Sequence, residues 1–213
     1  MDTANDLRIK LAEKGIRELE KLIQNVRVQK RKELLNRVRT MSSFLQTVKY
    51  SYMPPKELVE LEEFKNLVNT AREIRRAISG AEKDFNFYQA DYWLEYIESL
   101  PELMERGEID NACLAVKFFS GEIASRSEIE KGKLWLCVVD CGFRLEIVTN
   151  SQEFTPGKFA AIVYLPPRKF GNVVSRGMFV STLSEEIKGE LDAEKVKELC
   201  KGDVEATILS LVE

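Results

Sequence analysis

The sequence has no histidine in 213 residues. That absence excludes Ser-His-Asp and Cys-His nucleophile systems, His-ligated zinc or haem, and any histidine proton relay. Cysteine is sparse: Cys113, Cys137, Cys141 and Cys200, with no C-x-x-C among them. Closed zinc sites usually draw ligands from close pairs, so no metal site is expected. Buried reduced thiols in a cytoplasmic protein are the expectation instead. No run approaches the roughly 20 consecutive apolar residues of a membrane span, and no membrane association is expected. The polar opening MDTANDLRIK lacks the basic-then-apolar pattern of a signal peptide. There is no N-x-[ST] site. Gly-rich phosphate loops of the G-x-x-x-x-G-K-[ST] and G-x-G-x-x-G kinds are also absent. Acidic pairs such as Glu62-Glu63 and Glu185-Glu186 read as solvated helix positions, not an active site. The expectation is a protein that is not an enzyme and uses no cofactor.

What is present suits a globular fold. Apolar residues make up 44 % of the chain and charged ones 31 %, with 32 basic and 35 acidic side chains. The net charge of −3 is unevenly spread: −1 over residues 1–110, +3 over 111–181 and −5 over 182–213. A mildly basic segment thus stands beside an acidic tail, and a basic module is what a polyanion surface would require.

Residues 1–110 read as an α-helical domain. Leu7, Leu11, Leu19, Leu22, Val26, Leu34, Val38, Met41, Leu45 and Val48 recur at helical steps. Asn5 or Thr3 can cap this helix, and Pro54-Pro55 ends it. A helix from about residue 4 to 50 is unusually long. It is expected to break near Gly15 or Thr40–Ser43, or to form one arm of a coiled-coil hairpin. Leu58, Leu61, Phe64, Leu67 or Val68, Ala71, Ile74 and Ile78 form a second stripe, stopped by Ser79-Gly80. An aromatic segment follows from Phe85 to Leu100, and a short helix is expected from Pro101 to Arg106. The domain is a helical hairpin or a bundle.

From Asn111 the pattern changes to short β-branched and aromatic runs separated by Gly, Pro, Asn and Ser. Five such strands point to a small closed β-barrel over residues 111–182. Residues 183–213 return to helix, with Asp192 capping AEKVKELCKG and Asp203 capping VEATILSLVE. The fold class is α+β: a helical region, a five-stranded barrel, then a short helical C-terminal extension.

Four pieces of the barrel segment, in order, are KLWLCVVDCG, LEIVTN, PGK before an apolar strand, and VVSRGMFVS. Together they resemble the tRNA-binding oligonucleotide-fold (OB-fold) domain family. That family includes stand-alone bacterial tRNA-binding proteins, the C-terminal domain of many methionyl-tRNA synthetases and the N-terminal region of the phenylalanyl-tRNA synthetase β chain. Its pattern runs K-L-x-V-x-x-V-D-x-G, I-V-[ST]-x, G-x-x-V-x-V and V-x-S-x-G-M-[LI]. The resemblance covers about residues 112–182. This chain departs from it twice. SRSEIEKG stands where the family often has H-P-[ND]-A-D, which puts a loop contact in doubt. Arg176 replaces the usual Glu before Gly-Met, which favours a phosphate contact if the side chain is exposed.

The resemblance implies binding of tRNA or another structured RNA, association with an aminoacyl-tRNA synthetase, and a homodimer. The candidate RNA-binding residues are Lys133, Asn150, Arg168, Lys169, Asn172, Ser175, Arg176 and Met178, with Lys131, Arg144 and Lys158 extending the basic surface. The stretch PPRKFGNVV reads as a basic loop in which Phe170 adjoins the two cations. Core packing is the competing reading for Phe170 and Met178, and Gly177 is read as a backbone requirement. A second basic run, Arg27, Lys30, Arg31, Lys32, Arg37 and Arg39, is either a solvated helix face or an arm tracking phosphates. The aromatic cluster from Phe85 to Tyr96 is read as helix–helix core. The function expected is non-catalytic RNA binding; the alternative is a protein-interaction or chaperone-like module, such as a synthetase accessory scaffold.

Overall fold

The computed structural model describes residues 1–212. It divides into two compact units, one of residues 1–115 with residues 209–212, the other Val116–Ile208. The first is helical: α1 Leu7–Asn25, α2 Arg31–Lys49, α3 Pro55–Leu58, α4 Glu62–Ile78, α5 Phe85–Glu98 and α6 Leu100–Glu105, closed by a 3-10 turn at Ala112–Ala115. Helices α1, α2, α4 and α5 pack in a ring, each against two of the others. A bundle therefore takes the place of the expected coiled-coil arm.

The predicted long helix is two helices, and it breaks at neither expected point. Val26 and Leu34 are both buried and lie eight residues apart, a spacing that mimics two helical turns. Between them the chain reverses, with Lys30 in the left-handed region at φ 55°. No glycine or proline marks that reversal. Gly15 stays inside α1, because a Cβ there would lie 2.7 Å from Trp93 Cε3. It is a site of close packing on α5. The cap also differs from expectation: Asp6 occupies it and accepts from the Arg8 amide at 2.9 Å.

Arg8 is fully buried. It donates to both Asp6 oxygens, at 3.0 and 2.7 Å, and to the Leu103 carbonyl at 2.7 Å. A buried charge is tolerated only when paired and hydrogen-bonded in this way. The Tyr96 hydroxyl donates to the Ala115 carbonyl at 2.9 Å, and Tyr92, Trp93 and Tyr96 are buried. The aromatic segment is core, as expected.

The second unit is an antiparallel sheet. Its strands are β1 Phe118–Glu130, β2 Leu134–Asp140, β3 Arg144–Thr149, β4 Phe159–Val163, β5 Arg168–Phe170, β6 Val173–Ser175, β7 Met178–Leu183 and β8 Gly189–Glu190. The main order is β3-β2-β1-β4-β7, with β8 also paired to β1 and β5-β6 forming a separate ladder. The long β1 pairs with β4 over Phe118–Glu122 and with β2 over Glu122–Glu130, and Phe119 and Ser120 also pair with β8. The register shifts between Ile123 and Ser125, where the partner changes.

Two expectations are corrected here. The basic loop is a hairpin, with Arg168 opposite Ser175 and Phe170 opposite Val173. Gly171-Asn172 makes its two-residue turn, and the positive φ of 59° at Gly171 suits the twist such turns need. The five-stranded barrel is not closed by a continuous ladder. β3 and β7 end the strand order, and β3 is bridged to the chain entering β7 by the Arg176 amide on the Glu146 carbonyl at 2.8 Å and the Val148 amide on Ser175 Oγ at 3.0 Å. Beyond the sheet lie α7 Ala193–Leu199 and α8 Gly202–Leu209. Asp192 caps α7 as expected, accepting from the Lys195 amide at 2.8 Å. Asp203 lies inside the first turn of α8 and does not cap it; its charge there suits the helix dipole. Glu213, the end of the expected helix, lies outside the described residues.

Candidate nucleic-acid interface

The site is a cleft of about 500 Å³ within the second unit. It lies where the ends of β2, β3, β6 and β7 meet the loop after β3 and the β5-β6 hairpin. Leu134, Val148, Leu165, Pro166, Met178 and Val180 line it, together with the rings of Phe154, Phe170 and Phe179. Polar groups come from Thr149, Asn150, Ser151, Ser175 and Thr207, and charge from Arg168 and Glu153. Phe154 and Phe179 are stacked at 4.1 Å between centroids, with an 11° angle between planes. Both are buried, so they form a firm apolar base.

Local chemistry fixes the walls. The Ser175 hydroxyl donates to the Gly177 carbonyl at 3.0 Å and accepts from the Val148 amide. It is therefore a clamp between β3 and the β6-β7 junction. Gly177 has φ 155°, and a Cβ on it would lie 2.5 Å from the Val163 carbonyl oxygen. Only glycine fits there. This is the physical content of the S-x-G-M piece: it brings two strands close enough to make one side of the cleft.

The opposite wall is the loop Ser151–Phe154. Arg126, on β1, donates to the carbonyls of Gln152, Phe154 and Ser151 at 3.2, 3.1 and 3.4 Å. Its guanidinium lies 4.3 Å from the Trp135 ring centroid, held by cation–π attraction. Thr149 Oγ1 accepts from the Ser151 amide, and Ser151 Oγ from the Glu153 amide, at 3.1 and 3.2 Å. Lys158 donates to the Glu153 carbonyl at 3.0 Å. The wall is thus pre-formed.

Of the residues expected to bind RNA, Asn150, Arg168, Ser175 and Met178 come together at this cleft. Arg168 and Asn150 are exposed, Met178 is half-buried, and Ser175 is buried. Lys169 and Asn172 are exposed on the same hairpin but outside the lining. Lys133 is exposed at the β1-β2 turn and pairs with Glu130 at 2.7 Å. Arg176 is half-buried, and its guanidinium donates to the Tyr164 hydroxyl at 2.9 Å. Of the supplementary cations, Arg144 pairs with Glu146 at 2.6 Å.

The second basic run lies on the helical unit, split by the turn between α1 and α2. Arg27 pairs with Glu82 at 2.9 Å, Lys30 with Glu33 at 3.8 Å, and Arg37 with both Glu33 and Glu73. Arg31 reaches the Val26 carbonyl at 3.5 Å. Lys32 and Arg39 are exposed. Carboxylates therefore match half of this run. Sequence reading missed them because Glu73 and Glu82 are distant in sequence and meet the cations only in the bundle.

Sequence reading also missed Glu153, Phe154, Phe179 and Thr207. A search for basic and aromatic residues near motif pieces passes over an acid in a loop and a threonine in the tail. Cys137 and Cys141 are free and buried. Burial raises both thiols, and nearby Asp140 adds to it for Cys141, which is pushed to about 12. Neither is an activated nucleophile. Cys113 and Cys200 are disulfide-bonded, so the reading of four reduced thiols is corrected at those two positions; cysteine count alone does not reveal pairing. Among the described residues, no group of three or more Cys, Asp or Glu is placed to hold a metal. No described helix is long and apolar enough to cross a membrane.

Residues 1–107 match the family model described as "Alpha helical domain", and the chain belongs to that family. No curated protein matches it. Among solved structures, the crystal structure of a MetRS related protein from Pyrococcus horikoshii is similar over 36 % of this chain and 90 % of that one. The identity is 24 % and the TM-score 0.33.

Proposed function

We propose that the second unit is a non-catalytic RNA-binding module of the oligonucleotide-fold kind, and that its cleft takes an unpaired segment of a structured RNA such as tRNA. The observation that carries this reading is the make-up of the cleft. Buried aromatic rings line it together with Arg168, which makes no ion pair with any described residue. Unpaired nucleotides are bound in this way, by apolar and aromatic contact for the bases and cations for the phosphates. The reading gains support from where the motif residues fall. Leu134, Val148–Asn150, Ser175 and Gly177–Val180 belong to pieces that carry the resemblance to tRNA-binding domains, and they line the cleft.

The electrostatics fit a modest, local attraction. Arg168 and Lys169 are exposed on one hairpin and make no ion pair with any described residue, whereas many other cations of the chain are paired. Recognition of this kind rests on shape and unpaired bases, with phosphate contacts setting the register. Titration of a tRNA pool against the full chain tests it. The expected result is binding that weakens as salt rises and that is lost preferentially when Arg168 is replaced.

One observation favours the alternative of a protein-interaction module: the lining is largely apolar, with Leu134, Leu165, Pro166, Met178 and Val180. Such a surface also suits a peptide anchor. Retrieval of a synthetase by the RNA-free protein, insensitive to replacement of Arg168, would favour it. A cytoplasmic location, a homodimer and a synthetase partner stay attached to the RNA-binding reading as parts of the same proposal.

A further inference from the structure

An acid stands in a cleft that an RNA phosphate would avoid, and its placement is specific. The Glu153 amide donates to Ser151 Oγ, its carbonyl accepts from Lys158, and its Oε1 accepts from Thr182 Oγ1 at 2.9 Å. The residue is thus anchored at three points. Oε2 makes no hydrogen bond or ion pair with any described residue, and Glu153 lines the cleft with Asn150, Phe154 and Arg168. Glu153 is exposed; its backbone is fixed in the loop, one carboxylate oxygen is held by Thr182, and the other is left for a ligand.

We propose that this cleft selects an unpaired guanine, with the Glu153 carboxylate reading its Watson–Crick edge. The inference rests on the RNA-binding reading above. An ionised carboxylate only accepts hydrogen bonds, and its two oxygens have several lone-pair sites between them. Its best partner is therefore a base edge with two donors side by side. Guanine offers N1–H beside the N2 amino group. Adenine and cytosine each place one amino group beside a bare ring nitrogen, which repels the second oxygen. Uracil places its single N–H between two carbonyls. That edge is accessible only in an unpaired base, so the class of ligand is single-stranded or looped RNA with an exposed guanine.

The rest of the cleft suits the assignment. About 500 Å³ lies within the roughly 300–1,000 Å³ of small-ligand sites and holds one nucleotide. Phe154 and Phe179, with Leu134, Met178 and Val180, give the base an apolar surface. Arg168 is the basic residue of the lining, available to the phosphate of the same nucleotide. Charge opposition between Glu153 and Arg168 then orients the nucleotide, base towards the acid and phosphate towards the guanidinium.

The test uses the full chain and three labelled RNAs, UUUGUUU, UUUIUUU with inosine, and all-uridine, read by fluorescence anisotropy at low salt. Inosine keeps N1–H and lacks the N2 amino group. The guanine RNA is expected to bind about tenfold more tightly than the other two. In Glu153→Gln, which keeps shape but cannot accept two donors, the three RNAs should become indistinguishable. Equal binding of all three by the wild-type chain overturns the inference, as does a guanine preference that survives in Glu153→Gln. Arg168→Ala separates the two levels of the reading. If it weakens all three RNAs while wild type shows no preference, the cleft binds RNA and only guanine selection fails. If the RNAs bind but Arg168→Ala changes nothing, the orientation given to the nucleotide fails and overturns the inference; if no RNA binds, the RNA-binding reading fails and takes the inference with it.

Discussion

Replacing Arg168 and Lys169 together with alanine tests the proposed RNA surface directly. Both side chains are exposed and make no ion pair with any described residue. The hairpin that carries them is held by its backbone ladder and the Gly171 turn. Surface changes of that kind usually alter folding by less than about 0.5 kcal/mol. Binding should respond much more. Losing charge-assisted contacts to phosphate should cost about 1–3 kcal/mol. Each phosphate neutralised on a single strand adds about 0.7 to the slope of log affinity against log salt, so losing two should lower it by about 1.4. If about four phosphates are neutralised, the wild-type slope should be near −3. The assay is titration of a tRNA pool over a salt series, with melting measured on the same samples. Val163→Ala is the matched control. Val163 is fully buried in register with Phe118 and Met178, so losing two buried carbons and leaving a cavity should cost about 2 kcal/mol of stability. It lies outside the cleft lining, so affinity of the folded protein should hold. A double variant that binds like wild type, with the same slope, refutes the assignment of the hairpin to RNA and leaves the protein-interaction reading in its place.

Three further outcomes are expected. Replacing Arg27 and Arg37 with glutamine should change tRNA affinity far less than the hairpin variant, because their charge is already matched by Glu82, Glu33 and Glu73; a loss equal to that of the hairpin variant would restore the helical arm as a phosphate tracker. Gly177→Ala should destabilise by about 1–3 kcal/mol and weaken binding, since it meets the Val163 carbonyl at a φ that side chains avoid; an unchanged urea midpoint would show that the β6-β7 junction has another shape. The third concerns pH. The Lys188 hydrogen bond, followed by that of the Gly142 amide, holds the Asp140 carboxyl below its ordinary 3.8. Asp140 and then Glu122 raise the Lys188 ammonium above its ordinary 10.5. A depressed acid stabilises above its unfolded pKa and loses that contribution as pH falls through the folded value, while a raised lysine stabilises below its unfolded pKa and loses it as pH rises through the folded value. The stability gap between wild type and Lys188→Met should therefore be widest between those limits and narrow in acid and in strong base; urea midpoints showing a constant gap over pH would remove the ion pair as its cause.

Much of the fold was legible because its causes are local. The stripes of α2 and α4 bury the residues their spacing points to, from Leu34 to Val48 and from Phe64 to Ile78. The change to β pattern near Asn111 marks where helix gives way to strand, with β1 beginning at Phe118. The misses share a different cause. The α1-α2 reversal at Lys30 carries no glycine or proline, so nothing in the local sequence opposes a continuous helix. It is set by the packing of α1 on α5 and of α2 on α4. The PPRKFGNVV hairpin was read as a loop because its ladder is only three pairs long, too short for alternation to show.

The candidate site divides along the same line. Gly177 could be recognised from sequence because its requirement is a backbone one: a φ of 155° and a carbonyl oxygen where a Cβ would stand. Arg168 could be recognised because a cation between two turn signals is exposed in most folds. Glu153 could not, because its role depends on groups scattered between positions 126 and 182: the hydroxyls of Ser151 and Thr182 and the ammonium of Lys158 that hold it, and Arg126, which fixes the loop from β1. Charge counting works against it as well. A search for a polyanion surface scores every acid as a defect, yet phosphate attraction is common to all sequences and cannot tell one base from another. Selectivity needs an acceptor placed where donors converge. The acid that weakens the electrostatic case for this cleft is therefore the residue that gives it a means of choosing among bases.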